Sequence, residues 1–303
     1  MSESPPTAAP VCYRHPSRET WVRCTRCERP ICPDCMREAS VGHQCPECVA
    51  EGRRTQRSAR TAFGGSAAGR AGTVTKTLIA LNVIAAVIGL ALYGVDTLIP
   101  SGGLFTGQTQ WQLSGGVLGP SLVDPNTNQV VYEGIYNGGY YRLFTAMFIH
   151  YGIIHLAFNM WALWAVGRAL EAMLGRFRFA ALYLLAGVGG NVAAFIIEPN
   201  SLTAGASTAV FGLFGAYFVI ARKLGGDTRQ ILVVLVINLV ITFTVPGVSW
   251  AGHVGGLVTG ALVGAILAYA PRDRRTVVQY VGLAVVLVAL IGLTVAKVAS
   301  VTA

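Results

Sequence analysis

The sequence predicts an all-α membrane protein that crosses the bilayer several times and is preceded by a small metal-binding module. Of its 303 residues, 53% are hydrophobic and only 12% are charged, and the mean hydropathy is +0.55. Long apolar runs begin near residue 77 and continue toward the C-terminus, whereas all seven cysteines precede residue 49. Soluble domains carry about 25% charged residues, so this composition excludes an ordinary soluble fold.

Seven apolar runs are long enough to be helices that cross a hydrocarbon core of about 30 Å. The first run follows a long polar stretch and has no small-residue cleavage pattern behind it, so it is not a signal peptide. The fifth run is the shortest. The predicted spans are residues 77–98, 144–167, 178–197, 204–222, 230–246, 250–270 and 277–298.

Basic residues cluster in alternate loops between these spans. The clusters are Arg168, Arg176 and Arg178 after the second span, Arg222, Lys223 and Arg229 before the fifth, and Arg272, Arg274 and Arg275 before the seventh. The positive-inside rule makes these loops cytoplasmic, which predicts a multi-pass plasma-membrane protein with its N-terminus inside and its C-terminus outside. The net charge of +9 then reflects topology and attraction to anionic membrane lipid, and no nucleic-acid partner is expected.

The N-terminal residues contain four ligand pairs, and two residues separate the members of each pair. The pairs are Cys12 and His15, Cys24 and Cys27, Cys32 and Cys35, and Cys45 and Cys48. This spacing lets both side chains of a pair turn toward one ion, and eight ligands suffice for two tetrahedral zinc sites. A cytoplasmic location keeps thiols reduced, which favours zinc over the alternative of a disulfide or redox cluster. Because the module is short, it can bury only a small core. Zinc is therefore expected to supply most of its folding free energy.

The order of these pairs resembles a B-box-type or related cross-brace zinc finger. The resemblance implies that the first and third pairs share one zinc ion and that the second and fourth pairs share the other. Modules of this kind usually bind proteins, so a protein partner is implied. We assign residues 1–50 to this B-box-like module.

Residues 51–76 are predicted to form a basic flexible linker to a membrane domain of residues 77–303. The linker arginines lie among Gly, Ser, Ala and Thr, a composition too poor in bulky apolar groups to fold alone. They are Arg53, Arg54, Arg57, Arg60 and Arg70. Two interpretations stay open, because the same residues can hold the linker against anionic lipid or simply anchor the topology.

The segment from Ile99 to Tyr141 is long for a connection between the first two spans. It contains Trp111, Tyr132 and Tyr140, and such aromatic residues favour the membrane interface. We therefore expect a functional extracytoplasmic loop.

Several polar side chains fall at one predicted depth in the bilayer. His150, His155 and Asn159 form a polar row in the second span, and His155 and Asn159 share a helix face because they are four residues apart. Ser207 begins the fourth span and His253 lies near the start of the sixth. Polar groups inside a span are costly, so their convergence in one shallow layer favours function over packing.

This set fits acyl transfer, in which a serine hydroxyl loses its proton as it attacks and the oxyanion meets preorganised donors. Ser207 is the candidate nucleophile and His253 the candidate base, and no cofactor is needed. Asn159, His155 and the backbone N–H of Ser207 are the candidate oxyanion donors. No carboxylate is available as a third member, so packing must orient His253, and Phe211, one turn after Ser207, is expected to stack on its ring.

From about Arg142 to Ala270 the chain resembles the rhomboid intramembrane serine proteases. The matching motifs are Tyr141-Arg142-Leu143-Phe144-Thr145-Ala146-Met147-Phe148-Ile149-His150, His155-x-x-x-Asn159-Met160, Gly205-Ala206-Ser207 and Gly252-His253-x-Gly255-Gly256. The resemblance implies a rhomboid-like bundle of six helices to which the seventh is added, a membrane-embedded first loop, and a mobile fifth helix through which substrate enters. It also implies a dyad of Ser207 and His253 with oxyanion donors at His155 and Asn159.

Two further features concern helix packing around the nucleophile. Thr208 stands where relatives usually carry glycine, which can alter the turn that presents the serine. Gly252, Gly256 and Gly260 form two successive Gly-x-x-x-Gly steps, which predict a close approach between helices that brings His253 near the nucleophile.

The predicted function is that of an endopeptidase that cleaves transmembrane protein substrates near the outer end of their spans. The alternative is a catalytically inactive relative that binds transmembrane clients. A transporter or channel ranks last, because it needs polar residues through the whole membrane depth and the inner halves of these spans are almost purely apolar.

Overall fold

The computed structural model describes residues 8–56, 60–66, 72–100 and 108–302 of this protein. They fall into two compact units that divide after residue 58. Arg57 and Arg70 of the predicted linker and residues 101–107 of the predicted loop lie outside the described residues.

The first unit is built from very short elements around a cluster of cysteines. Its core consists of Ile31 and six buried cysteines, since elements this short enclose no larger apolar interior. The helix of this unit continues past residue 50, the predicted end of the module. The elements are a 3-10 turn at Pro33–Cys35, the antiparallel strands β1 (Arg37–Glu38) and β2 (His43–Gln44), and α1 (Pro46–Thr55).

The second unit opens with a long helix and a structured loop. The helix α2 (Thr73–Tyr93) lies between Gly72 at φ +83° and Gly94 at φ +81°, so glycine supplies the left-handed backbone at both ends. The described part of the loop that follows contains short helices and strands. Its elements are α3 (Gln110–Gly115), the antiparallel strands β3 (Leu122–Val123) and β4 (Val130–Tyr132), a 3-10 turn at Ile135–Asn137, and α4 (Arg142–Thr145).

Arg142 holds this loop together from inside. Its side chain is fully buried, and its guanidinium donates to the carbonyl oxygens of Leu113 at 2.8 Å, Gly116 at 2.7 Å and Glu133 at 2.5 Å. Hydrogen bonds from Nε and Nη1 offset part of the cost of burying this charge, whereas Nη2 has no hydrogen-bond partner among the described residues. Leu113 and Gly116 belong to the end of α3 and Glu133 directly follows β4, so one side chain joins the helix of the loop to its hairpin.

Six further helices complete the second unit. Five helices of the described chain, including α2, are long and apolar enough to cross a membrane, so the protein is a multi-pass membrane protein. Two of the seven predicted spans are shorter than the roughly 20 residues that a span requires, because α7 has 17 residues and α8 has 16. The six helices are α5 (Gly152–Leu174), α6 (Arg176–Ile197), α7 (Ser207–Lys223), α8 (Arg229–Thr244), α9 (Trp250–Tyr269) and α10 (Arg275–Thr302).

The second predicted span, residues 144–167, is placed wrongly at both ends. After α4 the chain forms a 3-10 turn at Ala146–Phe148, and α5 begins only at Gly152, where φ is +85°. It then continues to Leu174. His150 therefore precedes the helix and does not share its face with His155. An apolar run hides such a break, because hydropathy does not report backbone conformation.

Part of the predicted linker packs into the second unit. Phe63 is only 4% exposed and belongs to the main apolar core. Its carbonyl oxygen accepts a hydrogen bond from the Gln279 amide at 3.2 Å, and the Ala62 carbonyl accepts one from Arg275 at 3.1 Å. Both donors belong to α10, so this helix also anchors residues 60–66.

Candidate active site and metal sites

A cavity of about 500 Å³ lies among α5, α7, α8 and α9. Its lining is mostly apolar, with a few convergent polar groups, which is the usual form of a ligand site. The four residues predicted from the sequence as catalytic all line it. The polar lining residues are Tyr151, His155, Asn159, Thr203, Ser207, Asn238, Thr242, Ser249 and His253.

Ser207 is the first residue of α7. A backbone angle and a hydrogen bond define the turn before it. Gly205 adopts φ +133°, which disfavours any residue with a Cβ, and the Ala206 N–H donates to Nε2 of His150 at 3.3 Å. Within the described chain the Ser207 hydroxyl makes no hydrogen bond, and the ring of His253 across the cavity bonds elsewhere. Catalytic hydrogen bonds are often long without substrate and tighten when it binds.

His155 places a hydrogen-bond donor beside this hydroxyl. The backbone N–H of Tyr151 donates to its Nδ1 at 3.2 Å, which assigns the proton of the neutral ring to Nε2. A Cβ built on Gly205 would lie 3.1 Å from that Nε2 and 3.3 Å from Oγ of Ser207. The two groups therefore flank one small space, and glycine at position 205 keeps it open.

Asn159 lies one turn after His155 and lines the same cavity. Its Nδ2 donates to the His155 carbonyl oxygen at 3.0 Å, and because an amide carries two N–H groups, a second donor is available. His150, although outside the helix, packs edge-on against His155 with ring centroids 5.2 Å apart. The polar row expected on one helix is thus assembled from a helix and the turn before it.

His253 is oriented by two neighbours. Its ring stacks on Phe211 with centroids 4.1 Å apart and an interplanar angle of 16°, as the sequence predicted. Its Nδ1 lies 2.8 Å from Oγ1 of Thr242, a residue that sequence reasoning missed. A threonine in a membrane helix ordinarily bonds its own backbone, so nothing in the local sequence distinguished Thr242.

The start of α9, which carries His253, is tied to the end of α6. Oγ of Ser249 accepts from the Gly252 N–H at 3.1 Å as an N-cap and donates to the Glu198 carboxylate at 2.7 Å. An N-cap of this kind stabilises a helix start by about 1 kcal/mol. The anchor fixes the position of His253 one turn further on.

Glycines allow α9 to lie directly against α7. A Cβ on Gly256 would overlap the Thr208 carbonyl oxygen, and a Cβ on Gly260 would overlap that of Gly212. The two backbones are therefore in contact, as the Gly-x-x-x-Gly steps predicted. This contact sets His253 opposite the start of α7.

Thr208, the departure from the usual glycine, is accommodated by glycines on neighbouring helices. Its side chain is 1% exposed and is directed between α6 and α9. A Cβ on Gly190 would lie 2.7 Å from its Cβ, and one on Gly252 would lie 3.2 Å from its Cγ2. The threonine therefore takes space that these glycines leave, and it does not line the cavity.

In the first unit the eight predicted ligands form two groups. Within each group all ligand atoms lie within 4.8 Å of one another. Nδ1 of His15 lies 3.2 Å from the Cys32 sulfur and 3.4 Å from the Cys35 sulfur. The first pair thus joins the third and the second joins the fourth. The mixed group is Cys12, His15, Cys32 and Cys35, and the all-cysteine group is Cys24, Cys27, Cys45 and Cys48.

The all-cysteine group has a donor set and spacing that could hold a metal ion. Burial and the neighbouring thiols raise the pKa of Cys48 to about 12. Against burial, which acts in the opposite direction, backbone N–H groups lower the pKa of Cys24 to about 6. Four crowded thiols cannot all ionise unless a cation holds them. Nε of Arg29 also donates to the Cys27 sulfur at 3.3 Å, a contact that the sequence did not indicate.

Comparison with known proteins identifies the helical region. Residues 137–270 match a family model described as "Rhomboid domain". The chain is 44% identical over 138 residues to the rhomboid protease GluP of Bacillus subtilis, which covers 44% of this chain and 27% of that protein. It is 36% identical over 140 residues to the mitochondrial RHOMBOID-like protein 6 of Arabidopsis thaliana, covering 44% of this chain and 45% of that one.

A second bacterial relative is matched over most of its length. The chain is 33% identical over 148 residues to the putative rhomboid protease YdcA of Bacillus subtilis, which covers 47% of this chain and 74% of that protein. In contrast, the chain spans about a quarter of the length of GluP and less than half of the Arabidopsis relative. With this coverage, and with the rhomboid domain matched across the helices that enclose the cavity, the chain belongs to the rhomboid family.

Proposed function

We propose that this protein is an intramembrane serine endopeptidase that cleaves transmembrane proteins with a dyad of Ser207 and His253. One observation carries the proposal: a serine hydroxyl, a stacked imidazole and a preorganised N–H donor from His155 line one largely apolar cavity. Such a cavity strengthens electrostatic interactions, because water is scarce in it. The rhomboid proteases GluP and YdcA are similar in sequence over this region.

Each of these groups has a role in the proposed reaction. Oγ of Ser207 attacks the scissile carbonyl carbon while its proton passes to His253. The oxyanion of the tetrahedral intermediate accepts hydrogen bonds from Nε2 of His155, the second amide N–H of Asn159 and the backbone N–H of Ser207. The C–N bond then breaks, and His253 donates its proton to the leaving amine. Water, deprotonated by His253, hydrolyses the acyl-enzyme and restores the serine.

The walls of the cavity favour a membrane-embedded substrate. α5 and α8 both contribute to the lining, and two large side chains of α5, Phe158 and Trp161, are 63% and 70% exposed. A transmembrane helix hides its carbonyl groups in i to i−4 hydrogen bonds. The substrate segment must therefore unwind before its scissile bond reaches Ser207.

A fluorophosphonate probe applied to the detergent-solubilised protein tests the nucleophile. We expect the wild type to be labelled, Ser207→Ala to lose labelling and His253→Ala to label at least a hundredfold more slowly, because general-base catalysis contributes about 10²–10⁴-fold. Ser201→Ala is a matched control, since this exposed serine of the loop before α7 should leave labelling unchanged. A folded wild type that is not labelled would contradict the protease and favour a client-binding rhomboid relative.

The metal sites and the orientation complete the proposal. The eight ligands of the first unit hold two structural zinc ions in a cross-brace module that binds a protein partner.

The proposed orientation places the N-terminus in the cytoplasm and the C-terminus outside the plasma membrane. Arginines between the helices support this orientation through the positive-inside rule. With a strong chelator present to unfold the module, protease added to sealed vesicles should cleave the N-terminal module only when the vesicles are inverted. Cleavage in right-side-out vesicles would reverse the orientation.

A further inference from the structure

Thr242 is the buried polar residue of α8 closest to the catalytic machinery. It is 3% exposed, and its Oγ1 makes two contacts at hydrogen-bond distance. One is with Nδ1 of His253 at 2.8 Å, and the other is with the carbonyl oxygen of Asn238, one turn earlier on the same helix, at 2.7 Å.

The number of protons decides the direction of these bonds. A hydroxyl has one proton, and a carbonyl oxygen can only accept. If Thr242 donated to His253, two oxygen atoms would face each other at 2.7 Å with no proton between them, which is repulsive. The hydroxyl therefore donates to Asn238 and accepts from an Nδ1–H of His253.

This assignment fixes the tautomer of the histidine. With the proton on Nδ1, the lone pair of the neutral ring is on Nε2, the nitrogen that must accept a proton from Ser207. His155 shows the opposite arrangement, because its Nδ1 accepts from Tyr151 and its Nε2 carries the proton. One histidine is thereby set as an acceptor and the other as a donor on the same cavity.

We propose that Thr242 is a positioning residue that holds the proposed base, His253, in its Nδ1–H tautomer. This inference rests on the proposed function. In soluble serine proteases a buried carboxylate performs this task, but a charge is expensive within a membrane. A neutral hydroxyl, already committed to a backbone carbonyl, orients the ring without adding one. The base carried by α9 is thus oriented by α8.

Thr242→Val removes the hydroxyl with little change in shape. We expect kcat for cleavage of a transmembrane substrate to fall about tenfold with KM unchanged, because tenfold corresponds to about 1.4 kcal/mol, which is within the contribution of one hydrogen bond. Thr242→Ser should restore most of the rate. Thr244→Val is the matched control: Thr244 is exposed on the same helix, and among the described residues its hydroxyl donates only to the Val240 carbonyl, at 2.7 Å, so its loss should leave kcat unchanged.

The tautomer can be measured without any substrate. ¹⁵N NMR of wild-type protein labelled at histidine should show the His253 signal, assigned by its loss in His253→Ala, with Nδ1 protonated. Thr242→Val should shift it toward the Nε2–H form. Protonated Nε2 in the wild type, or a Thr242→Val variant with wild-type kcat and spectrum, would overturn the inference. A wild type that shows the expected tautomer, shifted by Thr242→Val, but no cleavage would instead overturn the proposed protease and leave the positioning of the ring by Thr242 standing.

Discussion

The two units of this protein hold their reactive side chains by opposite means. In the first unit the ligands are themselves the core, since six of its seven cysteines are buried around Ile31 and its two strands have two residues each. In the second unit the core is the contact between helices, and the cavity residues are a polar minority within it. The stability of the first unit is therefore expected to depend on the proposed zinc ions, and that of the second unit on how closely its helix backbones approach.

Removal of zinc is expected to have the largest effect, and only on the first unit. Apparent binding free energies of structural zinc are about 10–16 kcal/mol, which exceeds what so small a core supplies. Treating the full-length protein with a strong chelator should release two zinc ions and make residues 8–56 sensitive to protease. The control is the helical unit of the same sample, whose thermal transition and probe labelling should not change. Release of one ion, or a protease-resistant first unit without metal, would contradict this contrast.

In the second unit the change comparable to zinc removal is a substitution that places a methyl group between α7 and α9. Gly260→Ala would force a Cβ into the Gly212 backbone, and overpacking of this kind costs about 1–3 kcal/mol. The thermal transition of the helical unit should fall, and probe labelling at Ser207 should slow as His253 is displaced. Gly292→Ala is the control, because nothing lies within 4 Å of a Cβ at that position of α10. Equal stability of the two variants would show that the backbones are not in contact.

A buried carboxylate gives the second unit one polar anchor with an expected effect of the same order. Glu171 is 3% exposed and accepts from the N–H groups of Val74 at 3.0 Å and Thr75 at 2.9 Å, at the start of α2. Glu171→Ala leaves these donors unsatisfied and should lower the free energy of unfolding by about 1–3 kcal/mol. Asp273→Ala, which removes an exposed carboxylate 3.8 Å from Arg274, should change it by less than about 0.5 kcal/mol. Denaturant titration of both variants compares the two carboxylates, and equal effects would assign Glu171 no capping role.

Features that repeat along the sequence were predictable in both units. Apolar runs indicated each of the helices α2 and α5 to α10, although not their exact ends, because burial in lipid requires a sustained high hydropathy. The spacing of Gly256 and Gly260 predicted a close helix contact near the nucleophile. The stacking of Phe211 on His253 was predicted because Phe211 lies one helical turn after Ser207. The two ligand groups of the first unit follow the order of pairs implied by its resemblance to cross-brace fingers.

Features that depend on one backbone angle or one distant partner were not predictable. The start of α5 was misplaced because Gly152 turns the chain inside an apolar run. The role of Thr242 was not predicted because its partner, His253, lies on another helix. A threonine among apolar residues has no sequence pattern that indicates such a contact. The composition of residues 60–66 predicted a flexible linker. In the structure the side chain of Phe63 packs this segment into the core.

The smallest predicted effect is a difference in zinc affinity between the two proposed metal sites of the first unit. Four thiolates around Zn²⁺ carry a net charge of −2, whereas three thiolates and a neutral histidine carry −1. Arg29 lies beside the more negative group: it contacts the sulfur of Cys27 at 3.3 Å and that of Cys45 at 3.7 Å, and is held there by Glu47 at 2.6 Å. Loss of such a supporting contact costs about 10–100-fold in metal affinity. Arg29→Met should therefore weaken zinc at the all-cysteine group about tenfold and leave the mixed group, which contains His15, unchanged.

Competition with a chromophoric chelator resolves the two release steps and measures both affinities. Arg23→Met is the control, because this exposed arginine donates to the carbonyl oxygen of Glu28 at 3.3 Å and to no ligand sulfur within the described residues. An equal loss at both sites would mean that Arg29 supports the fold of the unit as a whole. A loss confined to the all-cysteine group would mean that even in a unit whose core is its ligands, charge is balanced separately at each ion.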